Sequence, residues 1–200
     1  MRNLVVGTFV SVDGVMQAPG APDEDPEGGF DLGGWQVPLF DDEAGAAVDG
    51  WMQAMDALLL GRKTYEIFAG FWPHQDDPIG ERLTAVPKYV ASRTLTSAEW
   101  ANTTVLTGEA ADAVRELKQQ DGGEIHVTGS GDLVQTLIRH GLVDEFRLIV
   151  HPVLLGKGKR LFGDGTVPTG LELAQSTTTS TGSLIQVYRR AGDPTFGSFT

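Results

Sequence analysis

Six short apolar runs, at residues 4–10, 57–60, 88–91, 104–106, 125–128 and 146–150, recur along the chain with segments of helical period between them. Each run is rich in Val, Ile and Leu, which is how strands read when both of their faces are buried. Their alternation with helices predicts an α/β chain with a mostly parallel sheet. From Glu109 to Gln120, Ala110, Ala113, Val114 and Leu117 share one stripe while Asp112, Arg115, Glu116 and Lys118 lie opposite. Thr107 is the expected N-cap of that helix and Gly122 its stop. A second helix, Asp132 to His140, turns Leu133, Val134, Leu137 and Ile138 inward and ends at Gly141. After Gly163 the segment LELAQSTTTSTGSLIQVYRR changes to period two around Thr181-Gly182, which predicts an antiparallel hairpin.

Between Asp13 and Val37 the chain holds the acidic run PDEDPEGG, several Pro and Gly, and no period. A connection of that length is either disordered or a functional lid. No repeat and no linker divides the sequence, so one domain is expected over residues 1–190, with AGDPTFGSFT at 191–200 as a frayed tail. The start, MRNLVVGTFVSVDG, reads as a strand and not a signal peptide, because an aspartate arrives at residue 13 without a small-residue cleavage pattern before it. No window approaches the ~18 apolar residues of a membrane span.

Charge and cysteine content narrow the function. A net charge of -12 and a pI near 4.6 argue against nucleic acid or an anionic membrane as a partner, since both need a basic surface. Any phosphate must be held by a local site. With no cysteine there is no disulfide, no thiolate nucleophile and no sulfur-based zinc site, and the chain suits a reducing cytoplasm. The histidines at 74, 126, 140 and 151 are too scattered for a metal site on a helix, so no metal is expected. Ser130 lacks the flanking glycines of a hydrolase nucleophile elbow.

Phosphate recognition is where unusual features collect. LLLGRKTYEIF at 58–68 reads as a buried strand that ends at Gly61 and turns through Arg62 and Lys63 into Thr64 at the mouth of a helix. Backbone N–H groups there, the Thr64 hydroxyl and Arg62 would favour an anion. Ser92 and Arg93 end another strand, in VASRTL. IHVTGSGDLVQTL at 125–137 makes a third such turn, half of a dinucleotide fingerprint with Gly129-Ser130-Gly131 and no third glycine. Each alone is first of all an ordinary glycine turn or a solvated arginine. Ligands of open α/β sheets bind beyond the carboxyl ends of the strands, so the three turns can converge on one ligand. A Rossmann domain is the wrong frame, because its glycine turn follows the first strand.

In this order the motifs resemble the dihydrofolate reductase superfamily, and within it the branch of the reductase domain of the bacterial riboflavin-biosynthesis deaminase-reductase. The matching stretches are FVSVDGVMQ, WQVP at 35–38, LLLGRKTYE at 58–66, ASR at 91–93, IHVTGSGDLVQTLI at 125–138 and DEFRLIVHPVLLGKGKRLF at 144–162. The resemblance implies a three-layer α/β/α dihydrofolate reductase-like fold, a mostly parallel twisted sheet with an antiparallel C-terminal hairpin, binding NADPH. By matching motif, Gly61, Arg62, Lys63 and Thr64 would meet the 2′-phosphate and pyrophosphate, and Ser92 and Arg93 the adenosine side. Thr128, Gly129, Ser130, Gly131, Asp132 and Leu133 would cradle the pyrophosphate. Ser130 departs from the family's second glycine.

The larger departure lies at the family's carboxylate. Folate reductases read W-x-x-P-x-D, whereas here Trp35 and Pro38 are followed by Phe40, with Asp41 and Asp42 one and two places late. One residue rotates a helical side chain by ~100°. Trp35 and Phe40 are expected at the substrate. Asp13 and then Asp42 are the candidate catalytic carboxylates, with Asp13 read equally as closing an Asp-Gly turn. The basic cluster Lys157 to Arg160 reads as a solvated turn. The expected activity is NADPH-dependent reduction of a small pterin-like or ribosylaminopyrimidine-like heterocycle by a cytoplasmic homodimer. The alternative is a non-catalytic NADP(H)- or ligand-binding module on the same fold.

Overall fold

Each of the six apolar runs forms a strand, and the period-two segment forms two more. The strands are β1 (Leu4–Ser11), β2 (Met55–Gly61), β3 (Lys88–Ala91), β4 (Thr103–Leu106), β5 (Glu124–Thr128), β6 (Glu145–His151), β7 (Leu171–Thr178) and β8 (Leu184–Arg190). The helices are α1 (Asp42–Ala54), α2 (Arg62–Phe71), α3 (Pro78–Ala85), α4 (Ala110–Gln119) and α5 (Gly131–Arg139). This computed structural model describes residues 1–199; Thr200, the end of the expected tail, lies outside the described residues.

One sheet runs in the order β4-β3-β2-β5-β1-β6-β8-β7. β1 to β6 are mutually parallel, and β8 runs antiparallel to both β6 and β7. Alternation along the strands feeds both faces. Leu4, Val6, Leu59, Ile125, Val127 and Phe146 pack with α4 and α5 on one side. On the other, Leu58, Leu60 and Val90 meet Tyr65 of α2 and Leu83 of α3, while Ile149 and Ile185 meet Ala44 and Val48 of α1. The result is the α/β/α layering of a dihydrofolate reductase-like fold. β7 is the outer edge, exposed along its whole length. Among the described residues, no helix is long and apolar enough to cross a membrane.

Three details differ from expectation. Thr107 does not cap α4, whose N-cap is Glu109 without a side-chain bond. The segment from Asp13 to Val37 is not structureless. Val15, Ala18, Phe30 and Trp35 bury against one another, and Gln17 donates to the carbonyls of Asp25 and Glu27 at 3.0 Å each. Nor is the basic cluster simply solvated. Lys159 Nζ pairs with Asp25 at 2.7 Å and with Glu27, and Lys157 pairs with Asp31 at 2.6 Å. These pairs tie the acidic loop to the β6–β7 connection.

Candidate functional site

The carboxyl ends of β1 to β5 open into one cleft of about 1770 Å³, lined among others by Phe9, Gly61, Ala91, Leu106 and Thr128. Drug-sized sites occupy ~300–1,000 Å³, so this space suits a dinucleotide together with a small ring. All the residues expected at a cofactor line it: Gly61, Arg62, Lys63, Thr64, Ser92, Arg93 and Thr128 to Leu133.

The β2–α2 and β5–α5 turns are bound to each other. Gly61 N–H donates to Ser130 Oγ at 2.9 Å, and Ser130 N–H donates to Thr64 Oγ1 at 3.1 Å. The Ser130 hydroxyl hydrogen has two acceptors within reach, Thr64 Oγ1 at 3.0 Å and the Thr128 carbonyl at 3.1 Å. Thr64 therefore accepts here and keeps its own O–H to donate. Ser130 occupies the left-handed region, at φ 58° and ψ 46°. Gly129 has φ +58°, and a Cβ there would stand 3.3 Å from the Thr64 side chain, so both backbone and packing favour glycine.

The helix starts around the cleft carry no side-chain caps. α2, α4 and α5 line it with their first turns and none has a side-chain cap bond. By contrast α1 and α3 are capped by Asp41 and Asp77, which lie outside the lining. Uncapped N–H groups with the positive end of the helix dipole behind them make an anion site. Arg62 pairs with Glu66 at 2.8 Å and Lys63 with Glu27 at 3.4 Å, whereas Arg93 is exposed and has no ion pair among the described residues. The Ser92 hydroxyl accepts from Leu95 N–H at 2.9 Å and so shapes its own turn.

Beside these turns the cleft widens into an apolar chamber that sequence reading did not anticipate. Trp51 comes from α1, Phe68 and Phe71 from α2, and Trp72 follows them. Phe71 and Trp72 meet edge to face at 5.1 Å, and Phe9 and Phe40 at 6.1 Å. The spacing of Ile67, Phe68, Phe71 and Trp72 was a signal in the sequence, but a helical apolar stripe reads first as core. His126 also lines the cleft, 2.8 Å from Glu124 through Nε2. Burial lowers its pKa against the opposing pull of Glu124.

The expected carboxylates are placed elsewhere. Asp13 accepts from the Ser11 hydroxyl at 2.7 Å and from Leu155 and Gly156 N–H at 3.1 and 2.8 Å, and it is not in the cleft lining. The Ser11 bond leads the causes that bring its pKa down to about 2. Asp42 is exposed on the first turn of α1, also outside the lining. Asp41 caps α1 through Ala44 N–H at 3.0 Å and accepts from Thr181 N–H at 2.9 Å; burial raises its pKa, but these bonds outweigh it and hold the carboxyl well below the usual range. Phe40 lines the cleft. Trp35 does not: it is buried behind the wall, donating to the Gln17 carbonyl at 2.8 Å and packing edge-on to His151 at 5.8 Å. Among the described residues no three His, Asp or Glu side chains gather as a metal site.

A family model of the RibD C-terminal domain matches residues 2–185. Two uncharacterized proteins of Bacillus subtilis (strain 168) are similar along most of their length. YyaP is 33% identical over 147 residues, which cover 71% of this chain and 78% of YyaP. YwjB is 29% identical over 175 residues, covering 86% and 89%. Among solved structures, a proposed riboflavin biosynthesis protein from Shewanella sp. PV-4 superposes with a TM-score of 0.68 at 22% identity, covering 94% of this chain and 98% of that one. A pyrimidine reductase-like protein from Corynebacterium diphtheriae NCTC gives a TM-score of 0.65 at 15% identity, covering 96% and 93%.

Proposed function

We propose, from the premise that this chain belongs to the RibD C-terminal domain family, that it is an NADPH-dependent oxidoreductase acting on a small heterocyclic substrate. The observation that carries this reading is the meeting of three uncapped helix starts at one cleft, in a chain whose net charge is -12. Helix starts gather at the carboxyl ends of parallel strands by topology, and where their N–H groups are left uncapped they suit an anion. The names of the two solved relatives, one a pyrimidine reductase-like protein, support a reductase.

The first turns of α2 and α5, joined through Ser130 and Thr64, would hold the pyrophosphate. Arg93, without an ion pair among the described residues, would meet the 2′-phosphate, with Arg62 available once it leaves Glu66. NADPH supplies, when bound, a hydride from its nicotinamide ring. The protein's part is to orient the substrate ring in the chamber and to exclude water from it. The homodimer belongs to the same proposal: the β7 edge leaves Leu171 and Leu173 exposed to a second copy, which sedimentation would read as twice the monomer mass.

Thermal shift tests the cofactor. NADPH at a hundred times its Kd adds ~2.7 kcal/mol, or roughly 5–10 °C for a chain of this size. NADPH should outperform NADH, and Arg93→Ala should cut that preference roughly tenfold. No shift with either nucleotide rules the proposal out. One observation favours the non-catalytic alternative, a ligand-binding module: Phe40 stands where a carboxylate would, and neither Asp13 nor Asp42 lines the cleft. Loss of NADPH absorbance with pterins or riboflavin-pathway pyrimidines separates the two, since only the enzyme turns over.

A further inference from the structure

We infer that the chamber takes an uncharged, flat aromatic ring bearing an N–H or O–H on its edge and no phosphate or carboxylate, seated against Phe40 and Phe71. What happens to the ring rests on the oxidoreductase reading above; how it is held does not.

Two rings are exposed where an ordinary core would hide them. Phe40 is 41% and Phe71 52% exposed, and both line the cleft beside Phe9, Trp51, Phe68 and Trp72. Phenyl rings left uncovered on the wall of a cleft mark a ligand face, because their burial is what binding would gain. A polar atom points the same way. Gln36 lines the cleft, and its Oε1 is buried without a hydrogen-bond partner. A buried acceptor with no partner among the described residues is costly, and a donor on the ligand would recover that cost.

Charge excludes the anionic classes. Five cations line the cleft, and four are already paired: Arg62 with Glu66, Lys63 with Glu27, Lys159 with Asp25 and Glu27, and Arg160 with Asp13 at 3.3 Å. The fifth, Arg93, follows β3, three places along the sheet from β1, whose Gly7, Thr8 and Phe9 line the chamber side. At ~4.8 Å per strand that is about 14 Å away. Asp23, Glu24, Asp25 and Glu27 also line the cleft, Glu27 beside Lys63 of the α2 first turn, so this loop offers an anion carboxylates and not unpaired cations. His126 adds no charge, since burial keeps its imidazole neutral.

Calorimetric titration tests this with matched probes, on the protein alone and with saturating NADP+. Quinoxalin-2-one should bind at least about tenfold tighter than its 3-carboxylate, the equivalent of ~1.4 kcal/mol for an unpaired charge facing an apolar wall. Ribose 5-phosphate should not compete. Phe40→Ala and Phe71→Ala should each weaken quinoxalin-2-one roughly fivefold, and Gln36→Leu should erase its advantage over the N-methylated ring. A melting temperature of the ligand-free variants unchanged from the wild type verifies that they are folded. Equal or tighter binding of the carboxylate, displacement by ribose 5-phosphate, or no binding of the neutral ring overturns the inference. If the ring binds and NADP+ gives no shift, the inference stands and the cofactor reading falls.

Discussion

Ser130 stores backbone strain at the cleft. A side chain at φ 58° costs ~1–2 kcal/mol relative to glycine, yet this hydroxyl accepts from Gly61 N–H and reaches Thr64, joining its own turn to the β2–α2 turn, 69 and 66 residues away at those two positions. Two substitutions separate the effects. Ser130→Gly releases the strain and loses the ties, so the changes nearly offset, within about 1 kcal/mol. Ser130→Ala loses the ties and keeps the strain, and should cost ~1–3 kcal/mol in chemical denaturation. If Ala costs nothing against the wild type the hydroxyl does not hold the turns, and if Ala proves no worse than Gly the left-handed backbone carries no strain. The three turns were legible in the sequence because Gly, Ser, Thr and Arg sit at fixed offsets from strand ends. Asp13, Asp42 and Trp35 were not, because what a carboxylate or indole meets depends on distant chain. Asp13 is spent on Leu155 and Gly156, 142 and 143 residues on, and Trp35 on Gln17. The departure at Phe40 was visible, and the chamber it borders is lined by rings with no matching carboxylate.

At the scale of elements, α3 shows how side chains secure a short helix that borders the chamber through Ile79 and Leu83. Asp77 caps its start, accepting from Ile79 and Gly80 N–H at 2.9 Å each. Lys88, fully buried, closes its end by donating to the carbonyls of Leu83, Thr84 and Val86 at 2.8, 2.9 and 2.9 Å, and lies 4.5 Å from the Trp100 ring. Lys88→Met keeps most of the volume and orphans those carbonyls, so it should cost ~2–4 kcal/mol, read by denaturation. A cost under ~1 kcal/mol would mean that water replaces the ammonium. Burial brings the Lys88 pKa down to about 8, which still leaves most of the ammonium protonated at neutral pH. Asp41 works similarly for α1 and also takes the hairpin turn through Thr181. Asp41→Ala should cost ~1–2 kcal/mol. None of these caps was legible in the sequence, where Asp41 and Asp42 stand out only for falling one and two places late in the W-x-x-P-x-D pattern. The strands were legible because their apolar runs stand alone. The 13–37 loop was not, because its pins come from Lys157 and Lys159 far downstream.

Across the whole molecule the same buried and bonded groups set how stability follows pH. His126 and His151 have pKa values lowered from 6.5, burial being the leading cause in each. As pH falls below 6.5 the unfolded chain takes up protons that the folded chain refuses, so stability falls by up to ~1.4 kcal/mol per pH unit for each proton. Asp13 acts lower down, its pKa falling from 3.8 to about 2 on folding. Its contribution is complete above about pH 4 and is lost as pH drops toward 2. Glu24 opposes this, because burial raises its pKa above 4.5 and acidification favours its folded form. So does relief of the net charge of -12 as pH approaches the pI near 4.6. That relief is spread over exposed groups and screened beyond ~8 Å at physiological salt, whereas the two histidines are buried, so the local effect wins. The melting temperature should therefore fall in two stages on acidification, one beginning near 6.5 and a second below about 4. His126→Gln keeps a donor for Glu124 and removes one titration, so it should make the first stage shallower and leave the second alone. Asp13→Asn should do the reverse. A single transition, or a first stage unchanged in His126→Gln, would mean that His126 protonates in the folded protein, with its charge accommodated by Glu124.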